Sequence, residues 1–304
     1  MFPLASRSAV SAFLLAAGGL CTVAATPATA PKVENDNSRW VFRVLPKAFQ
    51  KNPRVDLAVI TEMTEAGKKV APPTAGKPTY YFAQSAGFHE EGHGDGTPVS
   101  TPATHKFMEK QVEAALADSH FIHATTEHPA TIALFYFWGV HSRLNENVDD
   151  VGFRNLLSRA KLVGGDKFAR ELERAIHSSV VSNGMLFGIA DPVYQFREQD
   201  DLHRELMSEI IDDCYFVVVS AYDGAALARG ERRLLWRTKM STSAQGVSLD
   251  ETLPALVLGG TQFFGRDMGE AQVVAKIIHR TGRVDIGEPK VKDYFENPAA
   301  AEKK

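Results

Sequence analysis

The feature that most constrains this fold is a run of apolar residues, TIALFYFWGV, from Thr131 to Val140. It is uncharged and rich in β-branched and aromatic side chains, which is typical of a central strand covered on both faces. A second such run, CYFVVVSAYD, extends from Cys214 to Asp223 and precedes a turn region with Gly224 and Gly230. The segment from Arg232 to Ser241 follows that turn. The run from Cys214 to Asp223 and this segment are therefore predicted to form an antiparallel hairpin.

The rest of the chain predicts alternating strands and helices. Further strands are expected at Arg54–Glu62, Thr79–Gln84 and Ser119–Ala124. Helices are expected from Thr101-Pro102 to Asp118, twice between Asn145 and Ile176, from Val193 to Asp213, and from the capping box of Ser248 and Glu251 to about Phe263. Pro254 leaves Thr252 as an alternative start of that last helix. We therefore predict an α/β (α+β) fold, a mixed β-sheet with helices packed on it, as one domain over residues 39–290 with a helical insertion at about 145–178.

The N-terminus has the pattern of a secretory signal peptide over residues 1–25. Arg7 precedes an apolar stretch from Ala9 to Leu20, and small residues follow it, so we expect cleavage after Ala24 or Ala25. The stretch is shorter than the roughly 20 residues that span a bilayer. A polar tether over residues 26–38 and a disordered tail over residues 291–304 complete the predicted organisation. The expected location is the periplasm or the periplasmic face of the outer membrane, with no transmembrane segment in the mature chain.

The chain has two cysteines, Cys21 and Cys214. Leu20 stands where a lipoprotein signal has a small residue, so we expect Cys21 to leave with the signal rather than carry a lipid. Cys214 would then be the last thiol, which excludes an intramolecular disulfide. At the start of an apolar strand, Cys214 is predicted to be a packed side chain, with a nucleophilic role as the alternative.

The segment GFHEEGHGDG contains HExxH, the spacing by which zinc peptidases place two histidines one helical turn apart. His89 and His93 would be the metal ligands and Glu90 the general base of a zinc-dependent hydrolase. Four glycines and then Pro98 oppose a helix here, and Val99 stands where the extended motif has a third histidine. We therefore predict a polar loop without a metal or other cofactor, and keep the zinc hydrolase as the alternative.

Three other groups of residues are candidates with simpler explanations. A second concentration of histidines comprises His105, His120, His123 and His128, for which surface or cap roles are expected rather than a shared metal. Asp212-Asp213 is predicted to be a solvated turn between helix and strand. The basic cluster of Arg229, Arg232 and Arg233 is predicted to be a solvated hairpin tip.

The segment DDCYFVVVSAYDGAALARGERRLLWRTKMS, followed by a capped helix ending near FFGRDM, resembles a set of uncharacterised secreted bacterial proteins. Upstream, the helix from Lys106 to Asp118 and the segment HFIHATTEHPATIALFYF look like the same group. That set is similar to envelope lipoproteins of the α/β-sandwich type, including the curli-secretion and penicillin-binding-protein-activator types. The resemblance implies action through binding and assembly and brings no catalytic residues. The insertion near Asn145 to Ile176 and the residue before Cys21 depart from the pattern.

The composition is that of an ordinary globular protein able to bury a large core. Hydrophobic residues make up 44% and charged residues 23% of the chain, and the formal net charge is -3. A slightly acidic balance does not suggest nucleic acid as a partner. The signal peptide predicts export, and the resemblance implies a non-enzymatic protein of a bacterial envelope whose partner is another envelope protein or a cell-wall component.

Overall fold

A computed structural model describes residues 45–91, 102–142, 150–182 and 192–280. All of these described residues belong to one compact unit. The predicted signal peptide, tether and tail, together with His93, lie outside the described residues. None of the helices in the described ranges combines the length and apolar composition needed to cross a bilayer.

Seven strands are present within the described residues: β1 (Arg54–Met63), β2 (Thr79–Glu91), β3 (Phe121–His123), β4 (Ile132–His141), β5 (Cys214–Asp223), β6 (Leu234–Ser243) and β7 (Gln272–Ile277). The same residues form seven α-helices: α1 (Pro102–Asp118), α2 (Asp150–Val163), α3 (Gly165–Ser182), α4 (Pro192–Arg197), α5 (Asp201–Ile211), α6 (Gly224–Ala228) and α7 (Leu249–Gly260).

The strands form one sheet in the order β3-β2-β4-β5-β6-β1-β7. Strand β2 is parallel to both β3 and β4, whereas the other pairs are antiparallel. The predicted mixed α/β sheet with packed helices is therefore confirmed. Helix α1 is the crossover between the parallel strands β2 and β3, which is why it lies over this end of the sheet.

Two hydrophobic cores lie on opposite faces of the sheet. On one face, Val112 of α1 and Leu253 of α7 pack against sheet residues such as Trp138. On the other face, Leu172 and Ile210 from the helices α3 and α5 pack against residues of β1. The long apolar runs belong to β4 and β5, which lie side by side in the middle of this arrangement, and burial on both faces explains their composition.

Strand β2 corrects the sequence interpretation of the second strand and of the loop after it. The strand does not end at Gln84 but continues to Glu91, so His89 and Glu90 are strand residues rather than loop residues. Pairing with β4 continues along the whole extension, with a bulge between Ser85 and Gly87. The ladder to a buried neighbour outweighs the poor strand propensity of this glycine-containing segment. Gly139 of β4 allows this close pairing, because a Cβ there would overlap the carbonyl oxygen of His89.

Other boundaries also differ from expectation. The predicted helix from Val193 to Asp213 is two helices, α4 and α5, because Asp200 caps a new start by accepting a hydrogen bond from the His203 amide at 2.8 Å. The third strand begins only at Phe121, since His120 has a φ of 63° in the left-handed region. The hairpin turn contains the short helix α6, and the edge strand β7 was not predicted.

The predicted start of helix α7 is confirmed. The helix begins directly after Ser248, whose amide donates to Glu251 Oε1 at 2.8 Å in a capping box. Thr252, the alternative start, lies inside the helix.

Candidate partner-binding groove

The outer edge of β2 loses its neighbour early. Strand β3 pairs with β2 only from Thr79 to Tyr81, and the Ala124 amide then donates to the Tyr81 carbonyl at 2.8 Å. Beyond Tyr81, no described residue pairs with this edge, although β2 continues for another ten residues to Glu91. Backbone groups alternate along a strand, so the amides and carbonyls of Ala83 and Ser85 point in the same direction as those of Tyr81, away from β4, where no described residue pairs with them.

Helix α1 lies beside this open edge. Its buried side comprises Met108, Val112, Ala115 and Leu116, which are fully buried in the core. A neighbouring stripe at i, i+4 and i+8 contains His105, Glu109 and Glu113. Residues four apart lie on one side of a helix, and this polar stripe faces the strand edge.

A cavity of about 390 Å³ separates α1 from the edge of the sheet. We call this cavity, together with the open edge of β2, the α1–β2 groove. Its lining residues are Ala83, Ser85, His105, Lys106, Glu109, Val112, Glu113, His123 and Tyr136. The volume is near the lower end of the range for small-molecule sites, which suits one or two side chains of a partner.

The tyrosines of this region remain protonated. Burial, with the nearby Glu109 carboxylate, raises the pKa of Tyr136 to about 12, while a hydrogen bond with Ser85 opposes the shift. Burial and then the charge of Glu113 raise the pKa of Tyr81 to about 12. Both groups are therefore neutral phenols in the physiological range. Glu109 and Glu113 contribute to these raised pKa values because their charges lie near the two phenols.

Two of the four clustered histidines lie in the groove. The ring of His105 contacts the Trp138 ring edge-on with centroids 4.8 Å apart, and the ring of His123 is tilted against Tyr81 at 5.1 Å. His128 stacks on Tyr80 at 4.6 Å instead. Among the described residues no group of three or more His, Cys, Asp or Glu side chains is arranged to hold a metal ion. The histidines are thus groove walls and surface groups in this structure.

The residues of the HExxH motif have a strand geometry where they are described. Successive strand side chains point to opposite faces, so His89 and Glu90 diverge. The ring of His89 lies against Phe137 with centroids 4.9 Å apart, and its Nε2 is 3.3 Å from the Ala86 carbonyl oxygen. The helical turn that a zinc peptidase requires at this motif is therefore not formed by residues 89–91.

The remaining sequence candidates have structural explanations. Cys214 is fully buried, and burial raises the pKa of its thiol to about 12, as expected for a packed side chain rather than a nucleophile. Asp212 forms the C-cap of α5, with Asp213 between it and β5. The arginines at 229, 232 and 233 are exposed at the hairpin. Glu231 forms ion pairs with Arg229 and Arg233.

The glutamates of the groove were not singled out by the sequence. Glu109 and Glu113 lie on the polar flank of an amphipathic helix, where charged residues are ordinarily solvated. Their spacing from His105 was visible, but nothing in the sequence showed that β3 is only three residues long. The short strand is what leaves the groove open.

Comparison with known proteins adds little. No family model matches the chain, and no curated protein matches it. Among solved structures, the chain is similar to a PDZ domain protein from Parabacteroides distasonis, with a TM-score of 0.35 and 10% sequence identity. The match covers 74% of this chain and 39% of that protein. A TM-score this low does not establish a shared fold.

Proposed function

We propose that this protein is an exported, non-enzymatic component of a bacterial envelope, and that it binds another envelope component by adding a strand of the partner to β2. The open edge of β2 carries the proposal. Unpaired amides and carbonyls on an exposed strand are a template for an extended segment of another chain. Binding of this kind needs no metal or other cofactor.

The regular part of the open edge is short and defined at both ends. It starts after Tyr81, where β3 ends, and the bulge between Ser85 and Gly87 interrupts the regular strand. Bulges twist an edge away from further pairing. The site is therefore limited to one short segment, which favours a specific partner over indefinite edge-to-edge association.

The groove beside the edge supplies side-chain recognition. In strand addition, backbone hydrogen bonds give affinity, whereas pockets for alternate side chains give specificity. Here α1, β3 and β4 together line such a pocket with acidic, phenolic and imidazole groups. The alternative of a zinc-dependent hydrolase draws no support from the described geometry, because its motif begins on a strand.

Photo-crosslinking in the cells that naturally produce the protein tests the proposal. A photoreactive amino acid replaces Ser85 in the full-length chain, and a matched variant carries it at Ser208, an exposed position on α5. A discrete adduct to one envelope protein at Ser85, and not at Ser208, is expected. No adduct at Ser85, or the same adducts at both positions, would refute binding at this edge. N-terminal sequencing of the purified chain tests cleavage after Ala24 or Ala25.

A further inference from the structure

We propose that the α1–β2 groove selects a partner strand that places a lysine or arginine side chain between Glu109 and Glu113. This inference rests on the proposed strand addition and names the chemistry of the partner. It follows from the direction of side chains at the edge, the charges in the groove and the room between α1 and the sheet.

The direction of side chains follows from strand geometry. The carbonyl of Tyr81 points away from β4, and its side chain lies in the core beneath α1. Ala83 and Ser85 share its orientation and line the groove. Residues directly opposite each other on paired strands project from the same face of the sheet. Alternate side chains of an added strand therefore project into the groove, towards the polar stripe of α1.

The charges in the groove select the sign of such a side chain. Glu109 and Glu113 are both exposed, and neither has an ion pair with another described residue. Lys106 also lines the groove, so two carboxylates and one ammonium leave a net charge of -1 when the imidazoles are neutral. A partner with an acidic residue here would meet like charge, which disfavours binding, whereas a basic residue is attracted.

The room in the groove fits a long basic side chain. The cavity of about 390 Å³ extends from the strand edge to Tyr136. The stem of lysine or arginine can lie along the partly exposed Ala83 while its charged head stays near the carboxylates. The neutral phenol of Tyr136 adds an oxygen acceptor at the inner wall.

A peptide selection tests the partner chemistry. A random nonapeptide library on phage is panned against the purified full chain, against a Glu109→Gln/Glu113→Gln variant and against a Glu109→Lys/Glu113→Lys variant. Both positions are exposed, so each variant is expected to fold, and circular dichroism melts check this. Peptides from the wild-type selection should carry Lys or Arg at one fixed position. The Gln variant should lose this preference, and the Lys variant should select Asp or Glu at that position.

Synthetic peptides measure how much the basic residue contributes to binding affinity. Replacing the selected Lys or Arg by Gln should weaken binding to the wild-type protein about five- to tenfold, and less than about twofold for the Gln variant. Selected peptides that lose binding when Ser85 becomes Pro but carry no basic preference would overturn this inference and leave strand addition standing. If no selected peptide depends on Ser85, strand addition itself fails and the inference fails with it.

Discussion

The amide of Ala124 donates to the carbonyl of Tyr81 at 2.8 Å, and this is the last backbone hydrogen bond that the described residues make on the outer side of β2. The opposite edge of β2 stays paired with β4 from Tyr81 to Glu91. One strand therefore has one edge that holds the sheet together and one that is available to a partner.

This asymmetry predicts unequal losses of stability when proline replaces neighbouring residues of β2. Ser85→Pro removes an amide that points outward, so the free energy of unfolding should fall by about 1 kcal/mol or less, while partner binding is abolished. Gln84→Pro removes an amide that points to β4 and should cost about 3 kcal/mol or more. Both side chains are exposed. Ser85→Pro also removes the hydroxyl that accepts from the Gly87 amide at 3.1 Å, so Ser85→Ala is the control for that loss, and the remaining difference reports the direction of the lost amide. Urea unfolding measures both values, and equal losses would contradict the assigned direction.

The buried Glu209 predicts that stability falls as the pH rises. Burial raises the pKa of this carboxyl from 4.5 to about 8, although Arg159 opposes the shift. The folded chain therefore holds a proton that the unfolded chain releases between these values. The contribution of Glu209 is largest at low pH and decreases through this window, by at most about 1.4 kcal/mol per pH unit.

The Glu209→Gln variant should remove this dependence. The pKa of the buried His141 is lowered to about 4, mainly by burial, so His141 affects stability only below its ordinary value of 6.5. We expect a flatter unfolding free energy between pH 6.5 and 8 in the variant, and higher stability than wild type at pH 8. Glu127→Gln, at an exposed position, should keep the wild-type slope. Parallel slopes for wild type and Glu209→Gln would show that Glu209 is ionised in the folded chain.

Arg280 joins distant parts of the chain and should be important for stability. Its guanidinium donates two hydrogen bonds to the Glu251 carboxylate, from Nη2 to Oε1 at 2.7 Å and from Nε to Oε2 at 3.0 Å. It also donates to four carbonyls, those of Lys47, Ala48, Gln50 and Gly246. We expect Arg280→Ala to lose about 2–3 kcal/mol in urea unfolding. Arg280→Lys should recover less than half, because an ammonium cannot span these acceptors. Arg266→Ala, an exposed control, should lose less than about 0.5 kcal/mol; an equal loss would contradict the role of Arg280.

Cys214 should be inert to thiol reagents in the folded protein. Its side chain is fully buried and its raised pKa disfavours the thiolate that reacts. With the purified mature protein, the reagent DTNB at pH 8 should report no free thiol until denaturant is added. One thiol per denatured chain would agree with the loss of Cys21, whereas two would show that Cys21 is retained. In a chain with one thiol, rapid reaction of the native protein would contradict the burial of Cys214.

The sequence allowed prediction of elements whose stability is local or whose burial is complete. Strand β5 was predicted with its observed bounds, because a strand buried on both faces is a continuous apolar run. The capping box of Ser248 and Glu251 was likewise predicted, since both partners lie within one turn.

Features that depend on distant partners were predicted less well. The extension of β2 to Glu91 is held by the β4 ladder, and its own residues favour a loop. Strand β7 is an edge strand with several exposed residues, which gives it no continuous apolar signal. The groove itself results from the shortness of β3 next to a long β2. No local pattern encodes that difference.

Amide hydrogen exchange measured by NMR tests the central claim most directly. In the free protein, the amides of Ala83 and Ser85 should exchange at least about 100-fold faster than those of Phe82 and Gln84, which are bonded to β4. Saturation with a selected peptide should protect Ala83 and Ser85 and leave their neighbours unchanged. Equal protection of all four amides in the free protein would contradict the account, because the edge of β2 would then already be occupied.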